Sequence, residues 1–248
     1  LLAIASMLAD HVGAMLPVPP PYVYALRCAG RLAFPIFAFL IGEGYCHTRN
    51  LRAYALRLAA FALISEIPFN LLYSNQIFDP DGQNIFFTLL IGLLAIFAVD
   101  SIDKRGGATG AAPPSGLLRL SPVFAGMLAA EMLHMDYGAF GVAVIAVLHL
   151  CRANRAKALG LAAFACAFVG AASWMLSASE PGMGAVAALP SATEALAALA
   201  AIPLYFYNGR KGAPMKYFFY AFYPLHISAL SLAKALIFHM PPTLGKIW

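Results

Sequence analysis

The chain of 248 residues is 62% hydrophobic and only 11% charged, with a net charge of +5 and a mean hydropathy of +0.77. Soluble domains are about half apolar and about a quarter charged, so this composition excludes an ordinary water-soluble fold and favours a bilayer environment. No basic run is dense enough for a nucleic-acid patch, and we expect no nucleic-acid partner. The four cysteines form no CxxC pair, so we expect neither a disulfide nor a metal site.

Nine apolar segments follow one another between polar clusters and prolines. Most approach the roughly 20 residues that cross a bilayer as a helix. We therefore predict an all-α, polytopic membrane protein with about nine transmembrane helices; eight or ten remain open because the eighth segment contains two prolines. The segments are 1–16, 23–46, 55–74, 84–100, 118–134, 137–151, 158–177, 186–207 and 216–238.

The start of the chain, LLAIASMLAD, lacks the basic residues and cleavage site of a signal peptide, so we interpret it as part of the first span. Basic residues alternate between the connections that follow. Because cytoplasmic loops of membrane proteins are rich in Lys and Arg, the alternation predicts an inside amino terminus and an outside carboxyl terminus. We expect one transmembrane domain over 1–248, with a flexible cytoplasmic loop at 101–117.

Asp10 and His11 lie together in the first predicted span. A charge at the bilayer centre costs about 2.5–3.5 kcal/mol on insertion scales, so such residues are functional candidates. Histidine is the side chain best suited to moving a proton near neutral pH. Asp10 could orient the imidazole or pair with Arg31, and an interfacial polar pair is the plainer interpretation.

Arginines form the second group of candidates. Arg31 is suited to pairing with Asp10 or to binding a phosphate. The connection after the second span presents Arg49, Arg52 and Arg57, which could bind an anionic cofactor with several phosphates. Their alternative role is to set topology and contact lipid headgroups.

Polar side chains within other spans are candidates for substrate binding. Some of these residues have a polar neighbour one helical turn away, and the others belong to an aromatic stripe in the last span. Their alternative role is to join neighbouring helices by hydrogen bonds. Glu43 could also belong to an interfacial cluster with His47, and His149 is interpreted as interfacial. The candidates are Glu43, Glu66, Asn70, Asn84, Tyr223 and His226.

Five stretches together resemble the TraX family, which takes its name from a protein implicated in N-terminal acetylation of conjugative pilin. They are LADHVG, GRLAFPIFAFLIGEGYCHTRN, LRLAAFALISEIPFNLL, NIFFTLLIGLLA and FYAFYPLHI. The DH pair and the FPxFxFLxG stretch also look like a more distant group of transmembrane acyltransferases. That group includes heparan glucosaminide acetyltransferase and bacterial enzymes that acylate surface polysaccharide.

The resemblance implies a membrane-embedded acyltransferase. Acetyl transfer is the expected form of the reaction, because the protein after which the family is named is implicated in acetylation. It implies acetyl-CoA or another acyl-CoA as donor, bound by the arginines, and His11 assisted by Asp10 as the catalytic residues. The acceptor would be a pilin, another peptide, a glycan or a lipid headgroup, and its identity is left open. It also implies a multi-pass protein of the bacterial inner membrane, in contact with lipids and open to forming a homodimer.

Two rival functions fit the same residues. A proton-coupled transporter would also need ionisable groups inside its spans, but it would bind no acyl-CoA. An assembly scaffold for a pilus or envelope complex would leave His11 and Arg31 dispensable.

Overall fold

The computed structural model describes residues 1–109, 116–180, 189–210 and 215–239. These residues form helices and connections and contain no strand, apart from an isolated bridge between Gln83 and Met135. The helices are α1 Leu2–Met15, α2 Tyr22–Gly30, α3 Ala33–His47, α4 Leu51–Tyr73, α5 Ile85–Thr109, α6 Gly116–Met132, α7 Gly138–Leu150, α8 Arg155–Ala178, the 3₁₀ segment η1 Leu189–Ala200, α9 Ala201–Tyr205 and α10 Lys216–Phe238.

The described residues of each of the nine predicted apolar segments are mainly helical, and the second and eighth segments each cover two helical elements. Five helical stretches in the described part of the chain are long and apolar enough to cross a membrane: Tyr22–His47, Leu51–Tyr73, Ile85–Gly106, Arg155–Ala178 and Tyr217–Phe238. The prediction of an all-α membrane protein is therefore confirmed. Shorter apolar helices occur at Leu2–Met15, Gly138–Leu150 and Ser191–Tyr205, and the count of nine spans stays a prediction.

The second predicted span is interrupted, because α2 ends at Gly30 and α3 begins at Ala33. Pro35 has no N–H to donate to the carbonyl of Arg31, four residues earlier. Proline is tolerated in the first turn of a helix, so α3 starts just before it. The break between α2 and α3 is a turn at Arg31 and Leu32, just before Pro35.

Part of the predicted cytoplasmic loop 101–117 lies outside the described residues. Residues 101–109 continue α5, and α6 begins at Gly116, so 110–115 are the residues of this loop that are not described.

The chain divides into two compact units, the first of which combines both ends of the sequence. It contains residues Leu1–Phe37 and the described residues from Ala153 onwards. Within it α1 packs against α2 and α10, while η1 packs against α8 and α2. Ile4 and Met7 of α1 and Ile227 of α10 are buried.

The second unit contains Ala38–Arg152. Here α5 packs against α4, α6 and α7, and α6 packs against α7. Leu93 and Ile96 of α5 are fully buried with Ile145 of α7. At one end the connection before α5 meets the connection before α7, because Gln83 N–H donates to His134 O at 3.0 Å and Asp136 N–H donates to Gln83 O at 2.8 Å.

Gly30 permits the close approach of α1 and α2 in the first unit. A Cβ atom at this position would overlap the side chain of Asp10 and lie 2.7 Å from its Cα. Gly160 of α8 offers a contrast, because a Cβ atom there would meet nothing within 4 Å.

We predict that Gly30→Ala destabilises the protein by about 1–3 kcal/mol, because the added methyl group must displace α1 from α2. Gly160→Ala is the matched control and should be neutral or slightly stabilising, since alanine favours a helix. Thermal unfolding of the purified variants in lipid nanodiscs measures both effects. Equal stability of the two variants would contradict the close packing of α1 on α2.

Candidate functional site

Four charged side chains meet in the first unit, where α1, α2 and η1 come together. Arg27 Nη1 donates to Asp10 Oδ2 at 2.8 Å. Arg31 donates through Nη2 to Asp10 Oδ1 and through Nη1 to Glu194 Oε1. Asp10 therefore accepts from two arginines, and Arg31 bridges two carboxylates that are far apart in the sequence.

This ion-pair network is balanced in charge and largely buried. Its two guanidinium groups carry two positive charges and its two carboxylates carry two negative charges. The side chain of Arg31 is only 6% exposed and that of Asp10 only 14% exposed. Burying one such charge alone would be costly, whereas pairing and hydrogen bonding offset much of that cost.

A backbone contact reinforces the network. Ser6 Oγ on α1 donates to the carbonyl oxygens of Ala29 and Gly30, the latter at 3.1 Å. These carbonyls belong to the last turn of α2 and would otherwise lack partners inside the helix. Ser6 thus fixes α1 against the end of α2, one turn before Asp10.

His11 lies beside this network and pairs with His226 of α10. His11 Nδ1 is 2.7 Å from His226 Nε2, which is a hydrogen-bond distance. Both histidines are buried, each 8% exposed. The two rings are nearly parallel, with centroids 5.0 Å apart and an interplanar angle of 5°.

The hydrogen bonds of this pair assign the tautomers of the neutral rings. His226 Nδ1 is 2.8 Å from the carbonyl oxygen of Phe222, so this nitrogen carries the proton and donates it. His226 Nε2 then accepts from His11 Nδ1–H. His11 Nε2 is consequently the unprotonated nitrogen of its ring, and it has the lone pair that a general base requires.

Aromatic rings enclose the histidine pair. The Phe222 ring stacks on His226 at 4.8 Å between centroids, and Tyr223 presents its edge to both histidines, at 5.6 Å from His226 and 6.2 Å from His11. Tyr223 is 3% exposed. The predicted aromatic stripe of the last span therefore brings Tyr223 and His226 to His11, although 215 residues separate the two histidines.

The structure bears on the alternatives for Asp10. Its carboxylate accepts from Arg27 and Arg31, whereas the His11 ring hydrogen-bonds His226. This arrangement favours the pairing of Asp10 with Arg31 over orientation of the imidazole by Asp10. Arg31 in turn is held by two carboxylates, which leaves little capacity for the phosphate contact expected from the sequence.

The other predicted cofactor arginines belong to the second unit. Arg49 and Arg52 are exposed around the start of α4. Arg57 is partly buried, and its guanidinium carbon lies 5.7 Å from the centroid of the Tyr54 ring, at cation–π distance.

The remaining predicted substrate residues also lie in the second unit. Asn84 Nδ2 donates to Glu66 Oε2 at 2.5 Å and to Ala62 O at 2.8 Å, which joins the start of α5 to α4. Asn70 is 2% exposed and one turn beyond Glu66. Glu43 is partly buried, and its backbone oxygen is 2.9 Å from His47 Nδ1.

Sequence reasoning missed Glu194, which completes the ion-pair network. Its segment reads SATEALAALA, and a single carboxylate in so apolar a stretch was the available signal. The weak helical pattern around two prolines concealed it.

The interpretation of His149 as interfacial stays a prediction, and the structure adds that this residue is packed inside the second unit and only 1% exposed. In the second unit its Nε2 is 3.3 Å from both Asp100 oxygens and 2.8 Å from Arg152 Nη1. Tyr45 presents its ring edge to His149, with the ring centroids 5.1 Å apart. Residues near the ends of α3 and α7 thus share a polar cluster with Asp100 in the second half of α5.

No group of three or more His, Cys, Asp or Glu side chains among the described residues is arranged to hold a metal ion. The candidate site of the first unit consists of the buried pair of His11 and His226 and the balanced ion-pair network beside it.

The sequence is similar to known proteins over nearly the whole chain. A probable fimbrial assembly protein FimC, serogroup H1, of Dichelobacter nodosus is 31% identical over 252 aligned residues, which cover 95% of this chain and 94% of the relative. No solved structure matches the chain. The family model described as TraX protein matches residues 1–234, and the chain therefore belongs to the TraX family.

Proposed function

We propose that this protein acts in the assembly of a fimbria or pilus from the bacterial inner membrane. The similarity to a probable fimbrial assembly protein carries this proposal, because it extends over nearly the full length of both chains. The helical fold with five candidate spans agrees with an assembly component held in a membrane.

We further propose nine spans, with the amino terminus inside and the carboxyl terminus outside. The nine apolar segments, which are mainly helical in their described residues, and the alternation of basic connections support this topology. Contacts within the second unit agree with it, since the connections before α5 and α7 meet at one end of the unit. A cluster that joins the ends of α3 and α7 to the second half of α5 also agrees with it, because these three helices run in the same direction in this topology.

Deletion of the gene in its native host should remove assembled fimbriae or pili from the cell surface while the pilin subunit is still made. Electron microscopy counts the filaments, and immunoblotting of membrane fractions measures the subunit. The intact gene supplied in trans is the control and should restore the filaments. Normal filament numbers in the deletion strain would contradict the assembly role.

A second candidate function, acyl transfer, would specify how the protein contributes to assembly. The buried pair of His11 and His226 favours it, because the tautomers assigned above leave His11 Nε2 unprotonated, as a general base must be. A purely structural scaffold has no need of such a base, and ionisable groups in membrane spans generally serve function.

In the proposed reaction His11 Nε2 removes a proton from an amine or hydroxyl of the acceptor as that group attacks the thioester carbonyl of acyl-CoA. The new bond joins the acceptor to the acyl carbon, the carbon–sulfur bond breaks, and the CoA thiolate leaves with the proton from His11. His226 stabilises the transient imidazolium of His11 by accepting from its Nδ1–H. A variant of this chemistry carries the acyl group briefly on His11.

Other residues have proposed supporting roles in this reaction. Arg49, Arg52 and Arg57 would attract the phosphates of CoA, while the network around Asp10 and Arg31 positions α1. The acceptor would be a pilin, another peptide, a glycan or a lipid headgroup.

Acyl transfer predicts that His11→Gln and His226→Gln each lower the turnover of purified protein in nanodiscs by about 100-fold or more, because the base or its partner is lost. Transfer of radiolabelled acetyl from acetyl-CoA to the pilin of the same host measures turnover. His239→Asn is the control, since His239 is exposed and lies at the end of α10, and it should retain full turnover.

The two candidate functions give different results in the cell. If the protein transfers an acyl group, His11→Gln should reproduce the filament defect of the deletion. If it is a scaffold alone, the variant should assemble normal filaments. Wild-type protein that neither transfers acetyl nor gains thermal stability from acetyl-CoA or longer acyl-CoAs would exclude acyl transfer.

A further inference from the structure

We propose that Glu66 and Asn70, in the last turns of α4, form a binding site for a singly charged cation. This site belongs to the second unit and is separate from the histidine pair of the first unit. The inference does not depend on the proposed function.

The first observation is a set of buried oxygen atoms without hydrogen-bond partners. Glu66 Oε1, Asn70 Oδ1 and Ser65 Oγ are all buried and unpartnered. Ser65 is fully buried and Asn70 is 2% exposed. Buried polar atoms in folded proteins are almost always satisfied, so three exceptions within six residues indicate an absent partner.

The neighbouring donors are already used. Asn84 Nδ2 donates both to Glu66 Oε2 and to Ala62 O, and Asn84 Oδ1 accepts from Phe86 N–H at 3.1 Å. Asn70 Nδ2 points to the carbonyl oxygen of Ile77, at 3.5 Å. What the unpartnered carboxylate and amide oxygens lack is therefore a donor or a cation that comes from outside this group of side chains.

Helix geometry places the two principal oxygens together. Glu66 and Asn70 are four residues apart on α4, so their side chains lie on the same face, one above the other. Pro68 lies between them and interrupts the helical hydrogen bonds, which is tolerated in membrane helices where the freed groups line a cavity or meet a partner.

The carboxyl group of Glu66 favours a positive ligand, because an ionised carboxylate is balanced by a cation and not by a neutral donor. Asp79, which is also acidic, lies in the connection after α4.

The donor set also limits the charge and type of the cation. The single carboxylate of this pair balances one positive charge, and the described residues offer no cluster of three metal-binding side chains. A primary ammonium group has three N–H donors, enough to reach both unpartnered oxygens. Sodium or potassium would be bound by the same oxygens.

The experiment measures thermal unfolding of the full chain in nanodiscs with methylammonium, sodium or potassium chloride, each against choline chloride at equal ionic strength. Choline has a positive charge but no N–H donor, and it is too large for a small site. A cation that binds the folded protein should raise the Tm by several degrees at saturation.

Two variants test the named residues. Glu66→Gln keeps the shape of the side chain and should abolish the cation-dependent shift. Asn70→Ala should weaken the apparent affinity about tenfold, because one hydrogen bond to a charged group is lost. Asp103→Asn removes one charge from an exposed position of the same unit and should retain the full shift.

Each result has one meaning for the site. A shift with methylammonium alone identifies an amine ligand, and a shift with sodium or potassium identifies an inorganic ion. If Glu66→Gln fails to fold, Asn70→Ala decides the question. Equal Tm values in all four salts, or an undiminished shift in Asn70→Ala, would overturn the proposal and indicate a Glu66 that keeps its own proton.

Discussion

The pairing of Arg31 with Asp10 and Glu194 is the constraint on which the first unit depends. A nearly buried guanidinium among apolar helices is tolerated only when carboxylates neutralise it. Arg31 follows α2, Asp10 belongs to α1 and Glu194 to η1, so one ion-pair network ties three helical elements together. Gly30 lets α1 approach α2 closely because it has no side chain. Ser6 holds the two helices together by donating a hydrogen bond to the end of α2.

The chemistry of the site follows from that constraint. Once Asp10 fixes α1 against α2, the next residue, His11, is directed to α10 and meets His226. The carbonyl of Phe222 fixes the tautomer of His226, and His226 fixes that of His11. The ion-pair network and the histidine pair are thus neighbours, in which Asp10 holds α1 in position and His11 is the base of the reaction that we propose.

Sequence reasoning predicted the helical membrane fold, because apolar length and the prolines are local properties of the chain. It also selected Asp10, His11 and Arg31, since ionisable residues in apolar segments are conspicuous one by one. It could not pair His11 with His226, because a contact across 215 positions depends on packing that periodicity does not encode. Glu194 was missed because it lies in a segment with weak helical signals, and the contacts of His149 were missed because they join helices that are far apart in the sequence.

The most direct test of the central constraint is a double-mutant cycle of Asp10→Asn and Arg31→Gln, read as unfolding free energies in nanodiscs. Each single variant leaves the network with an unbalanced charge, whereas the double variant leaves Arg27 and Glu194 with balanced charges. We therefore expect the double variant to be more stable than the sum of the single effects predicts, by about 1–3 kcal/mol. Strictly additive effects would contradict a structure in which this ion pair positions α1 and its histidine.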